Sequence, residues 1–267
     1  MVKMHPLILL FLVVSINCLA QNNNDINQLD EKGKKHGLWE KEYSNGQIRY
    51  KGEFKHGNPT GEFKRYFPNG KLKAIMQHRS DGEVYATLFN EKGEKKAEGK
   101  YVNKKKDSIW VFYGSEGNIV LRENFDMGKR NGKSVKLYPN GDTSEIVTYR
   151  NGIKHGVLKQ FFPKGNLQLL ARYQNDELDG HVTIFTPQGY KEIEGLYRDG
   201  LREGKWVYYK NATDTARVLQ YKNGEPLNKD SIEVKETQEI IRLENKEGKF
   251  GDPRDELMPS RRRKRRQ

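Results

Sequence analysis

From Glu192 to Tyr209 the chain reads Glu-Ile-Glu-Gly-Leu-Tyr-Arg-Asp-Gly-Leu-Arg-Glu-Gly-Lys-Trp-Val-Tyr-Tyr. Short alternating or aromatic runs separated by turn signals are the pattern of a β-hairpin, and the pattern recurs along most of the chain. An aromatic residue ahead of a turn stands at Phe54, Tyr101, Phe125, Tyr149, Tyr173, Tyr197 and Tyr221, with His78 in the one remaining slot. Successive members are 24 residues apart except for one step of 23, from His78 to Tyr101. A glycine ladder, Gly46, Gly70, Gly93, Gly117, Gly141, Gly165 and Gly189, keeps the same step and slips once, between Gly70 and Gly93. A third ladder runs Gly37, Gly61, Gly132, Gly156, Gly180 and Gly204, with Ser108 in phase. A fixed period in this range marks a stacked array, here of about eight units from Lys34 to Gly224.

Each unit carries two turn signals. In Phe67-Pro68-Asn69-Gly70 and Tyr138-Pro139-Asn140-Gly141, Pro presets φ, Asn suits the next position, and Gly accepts the left-handed conformation that closes a bulged hairpin. The other turn, Tyr149-Arg150-Asn151-Gly152 and its copies, is followed by a second Gly four residues on. The expected fold is all-β: an elongated antiparallel β-meander of about eight stacked 24-residue hairpins, roughly 75 Å long at ~4.8 Å per strand. A short C-terminal cap and a disordered basic tail complete it.

Tyr50-Lys51-Gly52-Glu53-Phe54-Lys55-His56-Gly57-Asn58-Pro59-Thr60-Gly61-Glu62-Phe63 resembles the MORN repeat, Tyr-x-Gly-x-aromatic-x-x-Gly-x-x-x-Gly-x-aromatic. The resemblance covers most of residues 34–224 and is nearest the bacterial variant. It departs from the eukaryotic form in its longer step and in losing the Gly after the first aromatic in several units, as at Glu123 and Val147. It implies the meander, and it implies scaffolding or phospholipid contact as functions. Bacterial proteins with this variant often carry an antitoxin label.

The termini read differently. Residues 1–20, with Lys3, the apolar run Leu7 to Ile16 and Cys18-Leu19-Ala20, form a secretory signal peptide cut between Ala20 and Gln21. The alternative is a lipoprotein anchored through Cys18. Residues 21–33 are a polar leader, disordered at its start; 34–228 are the array; 229–247 cap its open end as a strand, a helix or both; and 248–267 are a linker and basic tail. Cys18 is the only cysteine, so the mature chain has no disulfide and no Cys-based zinc site.

Composition fits a thin sheet: 34% of residues are hydrophobic, 10% aromatic and 26 are glycine, so rings must do the packing. Trp39, Phe63, Trp110 and Trp206 share one phase, which reads as packing before it reads as a groove. Of the net charge of +13, the tail and Lys3 hold seven, leaving about +6 over the array. The tail residues Arg261, Arg262, Arg263, Lys264, Arg265 and Arg266 are candidates for contact with anionic lipid or lipopolysaccharide. Export argues against nucleic acid as partner.

No catalytic constellation, cofactor site or metal site is predicted. His36, His56 and His155 each precede a Gly, His78 fills an aromatic slot and His181 follows Gly180. No serine stands in a Gly-x-Ser-x-Gly elbow. Two units break the pattern, at Asn103 to Ser108 and at Lys210 to Ala216. Asn211-Ala212-Thr213 matches an N-glycosylation triplet. Asp107-Ser108-Ile109, Asp214-Thr215-Ala216 and Asp230-Ser231-Ile232 resemble an O-glycosylation signal of exported bacterial proteins, making Ser108, Thr215 and Ser231 candidate modification sites. The function expected is that of an exported, non-catalytic scaffold in the periplasm or outer envelope, with unidentified protein partners. The alternative is an inhibitor, an antitoxin or immunity-type protein.

Overall fold

The computed structural model describes residues 26–227. The expected signal peptide with Cys18, Ala20 and Gln21, the expected cap over 229–247, Ser231 and the basic run Arg261 to Arg266 lie outside the described residues. Within them the chain forms nineteen strands, all antiparallel, in one open sheet. Each strand pairs with its neighbours in sequence, from Lys35–Glu42 with Ile48–Lys55 to Leu201–Tyr209 with Thr215–Lys222. Set aside the two-residue strands Gln28–Leu29 and Glu225–Pro226, join Glu177–Leu178 to Gly180–Phe185, and sixteen full strand positions remain, the two per unit that eight hairpins require. The fold is the elongated all-β meander that the ladders predict.

Two turn chemistries alternate, as the sequence repeats. At Tyr138 to Asp142 the Gly141 N–H donates to Tyr138 O at 2.9 Å and the Tyr138 N–H to Asp142 O at 2.8 Å, a type I turn closed by a left-handed glycine. The other turn is a two-residue loop with both φ positive, as at Asn151 (53°) and Gly152 (92°). That is the type I′ hairpin, whose twist matches the strands it joins.

Three differences from the sequence reading have physical causes. The third ladder is not in turns: Gly132 and Gly156 lie inside strands at register shifts, with φ of 104° and 99°. There the bulged strand advances four residues while its partner advances two, which sharpens the local twist. His36 and His155 are therefore strand residues, whereas His56 is in a loop and meets Asp30 Oδ2 at 2.8 Å. The polar leader is ordered over its described part. Gln28–Leu29 pairs with Lys35–Glu42, and the Trp39 indole donates to Gln28 O at 2.9 Å, which closes the N-terminal edge of the sheet.

The single 23-residue step also has a structural meaning. The hairpin Leu72–His78 and Glu83–Phe89 pairs without any register shift, where the equivalent hairpins elsewhere carry the bulge. Its loop, Arg79 to Gly82, is a longer turn closed by a left-handed glycine rather than a type I′ turn. Losing the two bulge residues and gaining one in the turn shorten the unit by one, while preserving which residues face inward.

Candidate functional site

Residues paired across neighbouring strands share a face, so the registers sort the inner face into rows that run along the stack. The outer row of rings holds Phe54, His78, Tyr101, Phe125, Tyr149, Tyr173, Tyr197 and Tyr221. The middle row includes Trp39, Gly52, Phe63, Met76, Ala86 and Gly99 in successive strands, and continues through Trp110 to Trp206. The common phase of Trp39, Phe63, Trp110 and Trp206 is thus one physical row.

In the middle row, size is complementary within each unit. A Cβ added to Gly52 would stand 2.8 Å from Phe63 Cγ, one on Gly99 2.6 Å from Trp110 Cγ, and one on Gly195 2.8 Å from Trp206 Cγ. The rings lie flat on bare backbone. Trp110 donates its indole N–H to Lys100 O at 2.9 Å and Trp206 to Leu196 O at 3.2 Å, the carbonyl one residue past the glycine in each case. Units that lost the glycine lost the ring as well: the pairs become Glu123 with Ser134, Val147 with Leu158, and Ala171 with Val182. In the short unit the sizes are exchanged, Met76 facing Ala86.

A second regularity was not read from the sequence. Lys35 Nζ lies 4.4 Å from the Trp39 ring centroid, Lys106 Nζ 4.4 Å from Trp110, Arg130 Cζ 4.0 Å from Tyr149, Lys154 Nζ 4.5 Å from Tyr173 and Arg202 Cζ 4.7 Å from Trp206. Each cation is half-buried, with its stem along the rings and its head over their faces. The signal was present: in four units a cation follows the ladder aromatic by five residues, as Tyr101 to Lys106 and Tyr149 to Lys154.

The middle of the face is polar. Glu123 is 1% exposed and accepts from Ser134 Oγ at 3.3 Å, with Arg130 Nη1 3.8 Å away. One unit on, Glu145 meets Lys136 Nζ at 2.8 Å and accepts from Gln160 Nε2 at 3.1 Å. This belt separates two apolar clusters, one of Ala86, Ala97, Trp110, Phe112 and Leu121, the other extending from Val147 to Tyr221.

Over the short hairpin the inner face opens into a groove of about 1520 Å³. Ala74, Met76, Val84 and Leu88 form its floor, since this unit has neither the large middle-row ring nor the bulge. His78 lies edge-on to the Phe63 ring at 5.9 Å, and burial holds its imidazole below the ordinary histidine range.

Ser108 is exposed and donates to Asp107 Oδ1 at 2.9 Å. It sits at φ 58° in the bulge position that glycine fills in other units. Thr215 is exposed at the start of Thr215–Lys222, after a turn in which Asn211 Oδ1 accepts from the N–H groups of Thr213 and Asp214 at 3.0 and 2.8 Å, replacing the glycine. The two sites lie in different units and form no common cluster. Among the described residues no three His, Cys, Asp or Glu side chains converge as a metal site would require.

A family model described as the MORN repeat variant matches residues 35–56, 59–79 and 154–175. No curated protein matches the chain.

Proposed function

We propose, for a chain that is a member of the MORN-repeat family and hence built from a repeat suited to protein or membrane interaction, that it acts as an exported, non-catalytic scaffold of the cell envelope. The family's repeat is in general a binding element rather than a catalytic one. The observation that carries the reading is the use the fold makes of its chemistry. Indole N–H groups are satisfied by backbone carbonyls opposite the bulges, cations lie over rings, and the buried carboxylates are paired within the face. What the sheet offers beyond its own packing is a long patterned surface. Repeat arrays use such surfaces to hold partners.

In this reading the signal peptide delivers the chain to the periplasm or outer envelope, and Arg261 to Arg266 attach it to anionic lipid or lipopolysaccharide through screened electrostatics. Ser108, Thr215 and Ser231 are the sites at which the exported chain is glycosylated. Protein isolated from its native cell should begin at Gln21, with glycan mass on those three residues. An intact Met1 would refute export, acylated Cys18 would make the chain a lipoprotein, and a bare polypeptide mass would end the glycosylation reading.

The scaffold reading is tested by photo-crosslinking in the native cell from an inner-face position, Tyr101, and from an outward one, Ile109. A discrete protein captured from Tyr101 and not from Ile109 supports it. Substrate turnover by the purified chain, or equal capture from both faces, overturns it. A captured enzyme silenced by the contact would make the chain an inhibitor.

A further inference from the structure

We propose that the groove over the short hairpin binds an acidic polypeptide segment carrying at least one apolar side chain, laid across the inner face along the strand direction. This rests on the scaffold reading and names its partner's chemistry.

The groove offers more room than one small ligand fills. At about 1520 Å³ the groove exceeds the roughly 300 to 1,000 Å³ of small-molecule pockets. It is bordered by turn residues at both edges of the sheet, Pro68 and Lys92 on one side and Arg79 and Lys104 on the other, so a chain can enter at one edge and leave at the other. The floor strands are paired on both flanks. An added segment therefore finds no free ladder of backbone donors and acceptors there, and strand addition does not apply. Binding must come from side chains.

Those side chains specify an occupant. The floor of Ala74, Met76, Val84 and Leu88 is apolar and takes an apolar anchor. The walls carry Arg65, Lys73, Lys92 and Lys104 against Glu91. Lys73 sits over the Phe67 ring at 5.1 Å, a contact that orients a cation without neutralising it. Arg79, at the groove's edge, stacks instead on Tyr85 at 4.4 Å, which faces outward between the inward Val84 and Ala86. Among the described residues, none of the four wall cations has a carboxylate within ion-pair distance. An apolar floor under an uncompensated positive wall is complementary to an acidic, apolar-anchored chain. A bilayer presents anionic charge as a flat sheet of headgroups, whereas this apolar strip runs from one edge of the sheet to the other.

The test uses the full chain and a fluorescent peptide alternating glutamate and leucine over about twelve residues, enough to cross the sheet at roughly 3.3 Å per residue. Its glutamine counterpart and phosphatidylglycerol vesicles serve as the other probes. The glutamate peptide should bind, and Lys92→Glu with Lys104→Glu, both in exposed turns, should weaken it roughly tenfold or more with the circular dichroism spectrum unchanged. The Met76 methyl resonance should move on binding while that of exposed Met127 stays still. Equal binding of the glutamine peptide, an unmoved Met76, or full affinity in the charge-reversed chain would overturn the proposal. Vesicles that shift Met76 when the peptide does not would replace the peptide by a membrane. A partner crosslinked to the inner face outside this groove would end the proposal and leave the scaffold reading intact.

Discussion

Gly195 lies flat beneath the Trp206 indole, so close that a Cβ on it would stand 2.8 Å from Trp206 Cγ. Trp206 itself is fully buried. The glycine is there for space and not for its dihedral angles, in contrast to the turn glycines. Gly195→Ala should therefore destabilise the chain by about 1–3 kcal/mol through overpacking. Trp206→Leu alone should cost a few kcal/mol, as large-to-small core changes do. The double variant recreates the size relation of Ala171 with Val182 and should cost clearly less than the two single changes added together. Urea midpoints of the four proteins measure the coupling. Simple additivity would show that ring and glycine are independent.

Ser108 is the one side chain in a bulge position that glycine fills at Gly132, Gly156, Gly180 and Gly204, and it holds φ at 58°. A left-handed L-residue costs roughly 1 kcal/mol or more. Ser108→Gly should stabilise the fold by about that amount, against a smaller loss for a more flexible unfolded chain. The variant also removes one proposed glycosylation site, so the midpoint should be read on unmodified protein. A lower urea midpoint for the variant would mean that the Ser108 to Asp107 hydrogen bond outweighs the strain.

His78 stands in a ring slot that Phe54 and Phe125 fill elsewhere, and burial lowers its pKa from the ordinary 6.5. Above pH 6.5 the imidazole is neutral in both the folded and the unfolded chain and costs nothing. As pH falls below that value the unfolded chain takes up a proton that the fold resists. Stability is then lost progressively until the folded-state pKa is reached, and the difference becomes constant below it. His78→Phe should abolish this part of the pH dependence. Urea midpoints at pH 7.5 and pH 5.5 should converge for the variant more than for the natural chain, and identical slopes would show that His78 is not the group responsible.

What could be read from the sequence was local. Type I and type I′ turns are written in a few consecutive residues, such as Pro139-Asn140-Gly141 and Asn151-Gly152, so strand number and stacking followed directly. The strand bulges at Gly132 and Gly156 are not legible in this way, because a glycine suited to positive φ looks the same in a turn and in a bulge. Nor is the groove, since a one-residue deletion does not say how turn and bulge change, and only the register between Leu72–His78 and Glu83–Phe89 decides it. Glu123 stands in the glycine slot of its repeat in the sequence, but a glutamate there reads as solvent-facing, because only the strand registers show that this slot lies in the buried row.

That buried glutamate leads to the last prediction. Glu123, Ser134, Lys136, Glu145 and Gln160 interrupt the apolar packing between the clusters around Trp110 and Trp206. In a stacked array each unit is coupled only to its neighbours, so a weakened interface in the middle divides the sheet into two cooperative blocks. The natural apolar solution for the same two positions is Val147 with Leu158. Glu123→Val combined with Ser134→Leu and Arg130→Met should strengthen the junction, since replacing both partners of a buried ion pair by packed apolar groups is often stabilising by about 1–4 kcal/mol. The three tryptophans, Trp39, Trp110 and Trp206, report on the blocks separately when the others are changed to Phe, the residue already used in that row at Phe63. With the natural belt, the Trp110 and Trp206 signals should unfold at different urea concentrations. With the apolar substitutions they should merge and move upward. Coincident transitions in the natural chain would show that the belt does not divide the sheet, and Glu123→Val alone should then cost stability by leaving Arg130 and Ser134 without their carboxylate.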